Sequence, residues 1–243
     1  MKQMKLATSI FVSAILLSSS AALAQAPVKN ELIPAGASHN WTGFYAGLNV
    51  GAVNNTMNIT DVQATSFNST LQQVSNPLLT GGFQAGYRRQ LDLAHVSGVY
   101  GLEFDANFAN ATFNKEYGSP FALYQLRSSN QLKTVCLLEL IGGIAADKTL
   151  LFLAAGLSWV NITGTTTNQD ELAFFNSINV AKKQVGTALG AGIEYAFNEK
   201  ISARIKVDVV TPNTYTAHDN VGDAYQVADN VVLGTIGINY KFA

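Results

Sequence analysis

Cysteine is nearly absent from this sequence. Cys136 stands alone, so no intrachain disulfide can staple the fold and no thiolate cluster can hold a structural zinc. Charge is sparse as well: Asp, Glu, Lys and Arg make up 13% of 243 residues, and 15 basic against 16 acidic side chains leave a formal net charge of −1. That balance gives no global field to recruit nucleic acid. There is no phosphate-cradling glycine loop of the G-x-x-x-x-G-K kind and no metal-spaced set of His and Cys. Past the N-terminal stretch, no uninterrupted apolar run reaches the ~18 residues of a helical membrane span. What the chain does have is grease, with 48% hydrophobic and 10% aromatic residues. Mean hydropathy is +0.15. The composition is too oily for a disordered tail and too uncharged for an ordinary cytosolic surface, so something other than water covers part of it.

The first residues, MKQMKLATSIFVSAILLSSSAALAQA, carry Lys2 and Lys5, then an apolar stretch diluted by Ser and Ala, then Ala22-Leu23-Ala24 before Gln25. That is the order of a secretory leader: positive start, oily centre, small residues at the cleavage point. Residues 1–24 are expected to be removed on export, 25–40 to form a short periplasmic N-terminal segment, and 41–243 to form the folded domain.

Alternation with period two recurs along that domain, the pattern of strands with one oily and one wet face. WTGFYAGLNVGAV (41–53) sets Phe44, Ala46, Leu48, Val50 and Ala52 against Gly43, Tyr45, Gly47, Asn49 and Gly51. Seven more segments follow, near 80–90, 98–109, 131–144, 150–161, 184–197, 200–210 and 230–242. Each is close to the ~9–11 residues that a tilted strand needs to cross a bilayer. The connections alternate too: long polar ones at 54–79, 110–130, 162–183 and 211–226, short ones at 91–97, 145–149 and 198–200. The expected fold is therefore all-β, an eight-stranded antiparallel up-and-down transmembrane barrel with long loops outside and short turns in the periplasm.

Parity assigns the faces. Arg88, Lys133, Arg204, Lys206 and Lys241, with Glu103, Asp105, Glu139, Glu194 and Asp208, all fall opposite the oily face. Five positive charges match five negative ones, and Arg89 at a strand end is the exception. A Lys or Arg facing lipid at midplane costs ~2–4 kcal/mol, so these ten are expected inside. An eight-stranded barrel has barely room for its own side chains, so the lumen is expected to close as an ion-paired plug. Glycines of the inward parity (Gly82, Gly86, Gly190, Gly192) are expected to leave space for the long basic side chains. Trp41, Tyr45, Tyr100, Trp159, Tyr195 and Tyr240 are expected in interfacial aromatic girdles.

Three stretches carry a resemblance. NWTGFYAGLNVGA (40–52), GTALGAGIEYAFNEKISARIKVDVV (186–210) and GTIGINYKF (234–242) resemble the first, sixth-to-seventh and closing strands of the OmpA membrane-domain and opacity-protein group of small outer-membrane barrels, notably its immunogenic surface proteins. The resemblance implies a location in the outer membrane of a Gram-negative bacterium. It implies delivery by periplasmic chaperones and the barrel assembly machinery, contact with outer-membrane lipid and lipopolysaccharide, and roles in envelope integrity, adhesion or immune evasion. Ile236, Ile238, Tyr240 and Phe242 are similar to the family's C-terminal assembly signal, although here Ala243 follows the aromatic residue.

Chemistry is harder to find. His39 precedes the first strand and His95 lies in an expected periplasmic turn, which leaves His218 beside Asp219 and Asp223 in a long loop. Nothing in the spacing fixes a nucleophile next to it, so a solvated loop histidine is the expectation. Glu103 and Asp105 could serve as acid and base, but basic residues of the same parity make an ion network the expected reading. No catalytic residue, metal site or cofactor is expected, and the chain is read as a monomer. Asn58 and Asn68 open Asn-x-Thr sequons, which matter only under that type of glycosylation. Tyr124, Phe174 and Phe175 are the loop aromatics suited to contact with a host or surface receptor. Three alternatives stay open from the residues alone: a small low-conductance porin with a water-filled lumen, a lipid-modifying barrel enzyme, and a soluble lipocalin-like carrier.

Overall fold

The computed structural model describes residues 39–61, 70–74, 77–92, 97–117, 124–170, 175–218 and 224–242. The expected leader and nearly all of the 25–40 segment lie outside them, as do His95, Asn68, Phe174, Asp219 and Asp223.

Every regular element among these residues is a strand. In chain order they are β1 (Gly43–Asp61), β2 (Thr70–Val74), β3 (Leu78–Asp92), β4 (Ser97–Tyr117), β5 (Tyr124–Ala146), β6 (Thr149–Asp170), β7 (Phe175–Ala196), β8 (Ile201–Pro212), β9 (Tyr215–His218) and β10 (Ala224–Lys241). Eight of them form the wall, each antiparallel to its neighbours in the order β1, β3, β4, β5, β6, β7, β8, β10. The wall closes where β10 pairs β1, from Tyr45 opposite Lys241 to Asp61 opposite Tyr225. Closure leaves no free sheet edge in the wall, which is what lets a sheet cross hydrocarbon with its backbone satisfied. The short β2 and β9 pair the far ends of β1 and β10.

All eight alternating segments fall on wall strands, four of them overrunning a strand end by one or two residues. The long connections are the main revision. Residues 110–117 and 124–130 continue β4 and β5, while 162–170 and 175–183 continue β6 and β7, pairing up to Tyr124 opposite Asp170 and Gln169 opposite Phe175. Stretches such as NITGTTTNQD (161–170) are polar on both faces, so they show no contrast of period two, yet their β-branched threonines suit an extended backbone. The connections at this end are hairpins that rise beyond the apolar band, with tips much shorter than expected.

The opposite end carries tight turns. Asp147 and Lys148 join β5 to β6, and Asp147 takes φ of 51°, a conformation Asp adopts more readily than most residues. Between β7 and β8, Asn198 Oδ1 accepts from the backbone N–H groups of Lys200 and Ile201 at 2.9 Å each, closing an Asx turn.

Side chains of the oily parity point outward. Leu48 is 73% exposed and Leu79 87%. Phe44, Leu102, Leu140, Leu153, Leu189, Ile205 and Ile236 are likewise exposed. In a closed barrel that crosses a bilayer, a surface of this kind is the one turned to lipid tails.

Candidate functional site

The inward parity fills the lumen in layers, which can be followed along single strands. On β4, Val99, Glu103, Asp105 and Ala109 all face in; on β5, Ile141, Glu139, Leu137 and Val135 do. At the short-turn end an apolar cluster joins Trp41, Val99, Ile141, Ala145, Leu150, Phe152, Ala154 and Ala196. Toward the hairpin end a second cluster joins Val53, Ala109, Leu132, Val135, Leu137, Val160, Ile162, Ala188, Val210, Val231 and Leu233. Ionised groups occupy the space between them.

Glu103 lies at the centre of that ionised layer. Its Oε2 accepts from Arg204 Nη1, from the Tyr45 hydroxyl and, at 3.4 Å, from Arg88 Nη2. Arg204 Nη2 also donates to Asp105 Oδ1 at 2.9 Å. The Lys206 ammonium donates to Asp105 Oδ2 at 2.8 Å, to Glu103 Oε1 at 3.4 Å and to Glu139 Oε2, and it lies 3.3 Å from Asp208 Oδ1. Arg88 Nη1 donates to Glu194 Oε2 at 2.8 Å, and its guanidinium sits 4.1 Å from the Tyr45 ring centroid, a cation–π contact. An amide relay crosses the barrel beside it. Asn49 Nδ2 donates to Gln84 Oε1 and Gln84 Nε2 to Asn239 Oδ1, both at 2.7 Å, and Asn239 Nδ2 donates to Glu194 Oε1 at 2.9 Å. Taking ions out of water costs several kcal/mol apiece, which only such dense pairing offsets.

Eight of the ten residues expected in the network are therefore brought together: Arg88, Glu103, Asp105, Glu139, Glu194, Arg204, Lys206 and Asp208. Two are not. Lys133 is exposed, because the pairing of β5 with β6 slips between Leu132 and Thr134 and the extra residue in this bulge loses its inward parity. Lys241 lies at the short-turn rim, where its ammonium donates to the Asn40 carbonyl instead of reaching the ionised layer.

The expected girdle is also corrected at two positions. Tyr100, Trp159, Tyr195 and Tyr240 face outward, and Phe44, Tyr87, Phe197 and Phe242 add to the outward aromatics. Trp41 and Tyr45 are buried, since they share the parity of Asn49. Tyr45 fits because Gly86 opposes it: a Cβ there would stand 2.6 Å from the Tyr45 hydroxyl oxygen. Gly190 likewise leaves space for Asp208 and Lys206, whereas Gly192 accommodates the Phe152 ring and Gly82 faces Asn107. The assembly-signal residues Ile236, Ile238, Tyr240 and Phe242 line the outer face of the closing strand, with Ile236 opposite Val50 and Ile238 opposite Leu48. Arg89 is exposed and pairs with outward Tyr100.

His39 and Trp41 close the short-turn mouth, their rings edge to face at 4.6 Å. Gln90 Oε1 accepts from the Trp41 backbone N–H at 2.9 Å, which holds the chain across the opening. Burial, then the Lys241 charge, push the His39 imidazole below its ordinary pKa, against the opposing pull of Glu199, whose Oε2 is 3.8 Å from Nδ1.

As for chemistry, Glu103 and Asp105 are both engaged by Arg204 and Lys206, which removes the free acid–base pair that their spacing allowed. His218 is exposed on β9, opposite Ala224. Asn58 lies in β1, and Tyr124 and Phe175 are the first residues of β5 and β7. Sequence reasoning missed the two apolar layers. Their signal was Val135 and Leu137 sharing the parity of Glu139, which made that segment look irregular.

A family model described as the outer membrane protein beta-barrel domain matches residues 11–242. None of the curated proteins matches the chain. Among solved structures, the outer membrane protein OprG of Pseudomonas aeruginosa is 17% identical over 84% of this chain and 98% of its own, with a TM-score of 0.50. The outer membrane protease OmpT of Escherichia coli is 10% identical over 82% and 97%, TM-score 0.48. The attachment invasion locus protein Ail of Yersinia pestis is 10% identical over 83% and 99%, TM-score 0.36.

Proposed function

The chain belongs to the outer membrane protein beta-barrel family, and on that premise we propose that it works as a sealed barrel of the Gram-negative outer membrane, anchoring the envelope and displaying its hairpins to the surroundings. The observation that carries the reading is the layered lumen. Paired ions in the middle and an apolar cluster on either side fill the barrel with side chains, where a conducting pore needs free polar space.

On this reading the hairpin end faces outward and its polar strands meet a host or surface receptor, while the tight turns face the periplasm. The outer wall contacts lipid and lipopolysaccharide. The outward row Ile236, Ile238, Tyr240 and Phe242 is the recognition element for the assembly machinery after chaperone delivery, and the leader is removed after Ala24. The barrel is monomeric and non-catalytic, in keeping with the engagement of Glu103 and Asp105 by basic groups.

Planar-bilayer recording tests the central claim. The purified full-length protein is expected to give no resolved conductance steps, and steps that change size in Arg204→Gln or Glu103→Gln would replace this reading with a narrow channel.

A further inference from the structure

On the outer face of β5, β6 and β7 the apolar band stops in register. Cys136 lies opposite Trp159 and Trp159 opposite Val185, all of the outward parity. The next outward row toward the hairpins is polar on every one of these strands, with Thr134 opposite Asn161 and Asn161 opposite Lys183. Lys133 joins this row through the bulge. Leu132 pairs Ile162 and Thr134 pairs Asn161, so the extra residue is left beside Asn161, and its side chain is exposed like that of Lys183. The slip that takes Lys133 out of the lumen thus delivers it to the border of the apolar surface.

Two basic side chains therefore flank Asn161 from strands on either side of it. Two strand spacings set their backbones about 10 Å apart, a gap that two lysine stems can close from both sides. The acids in these stretches, Glu139 and Glu194, are buried in the lumen, so among the described residues no carboxylate on this outer face meets either ammonium. The charge is also local. Along the same border the first polar residue of outward parity is neutral on other strands: Asn54 on β1, Thr211 on β8 and Asn230 on β10. Directly below the pair, Trp159 and Val185 are exposed, and Leu157 and Leu189 continue the apolar surface away from the hairpins.

We infer that Lys133, Asn161 and Lys183 form a docking site for the phosphate of a lipid headgroup, whose acyl chains lie against Trp159, Val185, Leu157 and Leu189. Phosphate oxygens accept charge-assisted hydrogen bonds from the two ammonium groups, and the Asn161 amide can donate between them. Lysine suits the place because its apolar stem can lie along the edge of the band while its charge stays at headgroup level. An indole at the same border is the usual companion of headgroups. A soluble anion would use only the polar row, whereas a lipid matches both the row and the apolar strip that adjoins it. The inference deepens the lipid contact proposed above and rests on the orientation given there, by which this border lies in the outer leaflet and the lipid is lipopolysaccharide.

Binding of diphosphoryl lipid A to the folded full-length protein in a neutral detergent, followed by native mass spectrometry, tests the site. At about a factor of five for each basic residue, Lys133→Gln or Lys183→Gln should weaken binding fivefold and the double variant about thirtyfold. Arg89→Gln, on the outer face at the opposite rim, should leave it unchanged. Lipid A stripped of its phosphates should bind the wild type as weakly as intact lipid A binds the double variant. Inorganic phosphate at the same concentration should not displace the lipid. Gel mobility of unboiled samples shows that each variant is folded. Unaltered binding in the double variant overturns the site, and so does an equal loss in Arg89→Gln, equal binding of the dephosphorylated lipid, or displacement by inorganic phosphate. Conductance steps in the planar bilayer would remove the sealed-barrel reading without touching this site, and unaltered lipid binding would remove the site without touching that reading.

Discussion

Glu139 and Leu137 stand two residues apart on the inner face of β5, one in the ionised middle of the lumen and the other in the apolar layer beside it. Both are wholly buried, yet they are held in place by different physics. Leu137 gains from leaving water and from contact with any neighbour of suitable shape, so its layer is tolerant in detail. Glu139 loses its hydration and recovers it only from a donor at the right place, so its layer depends on every partner being present. Both layers fill the barrel with side chains, but the ionised one accepts fewer replacements, because each member satisfies another.

Changes that set the layers against each other should differ in size. The largest effect is expected at Arg204. Arg204→Met keeps much of the volume but takes from Glu103 and Asp105 a cation that both share, leaving Lys206 as the cation common to the two, and removing one partner of a buried ion pair costs ~3–5 kcal/mol. Urea unfolding in micelles, followed by the gel mobility of unboiled samples, would measure it. In the apolar layer Leu137→Ala should cost ~2–5 kcal/mol through lost contact and the cavity left behind. Leu137→Met, which nearly conserves volume, should cost less than ~1.5 kcal/mol, and if it matched Arg204→Met in the same assay the contrast between the layers would fail.

A pH effect at the mouth should be smaller. Since the folded His39 has a lowered pKa, the unfolded chain binds more protons in the window just below about 6.5, the ordinary imidazole value. Stability is therefore whole above that window and declines as pH falls through it towards the lowered value. His39→Gln should flatten that slope in a pH series of the same unfolding curves. Least of all is expected from Lys133→Ser, within about 0.5 kcal/mol, because the bulge has already turned that side chain out of the network.

Much of this architecture was readable in advance because a membrane wall imposes its chemistry residue by residue. Leu102 and Glu103 are neighbours on β4 with opposite environments, and the period-two rule separates them without further knowledge. The rule weakened where polarity no longer differed between faces, as in the threonine-rich end of β6, which read as a loop. It failed at Lys133 because a bulge moves every residue beyond it by one step, and nothing in the local sequence marks where the slip falls. Trp41 and Tyr45 were misplaced for another reason. Aromatic residues near strand ends suit a membrane interface, but at these positions parity and the small partner Gly86 decide the matter. The balance of ten charges looked exact on paper, and it was the geometry of two lysines that unbalanced it.

The wall is sealed by joining its first stave to its last, with Tyr45 beside Lys241. Nearly the whole polypeptide must thus be delivered before any interior exists, and until then two unpaired edges are open to whatever strand comes near. A closure between such distant parts of the chain is slow by nature. For this protein the hazardous moment comes before it reaches its final shape, while the seam is still open.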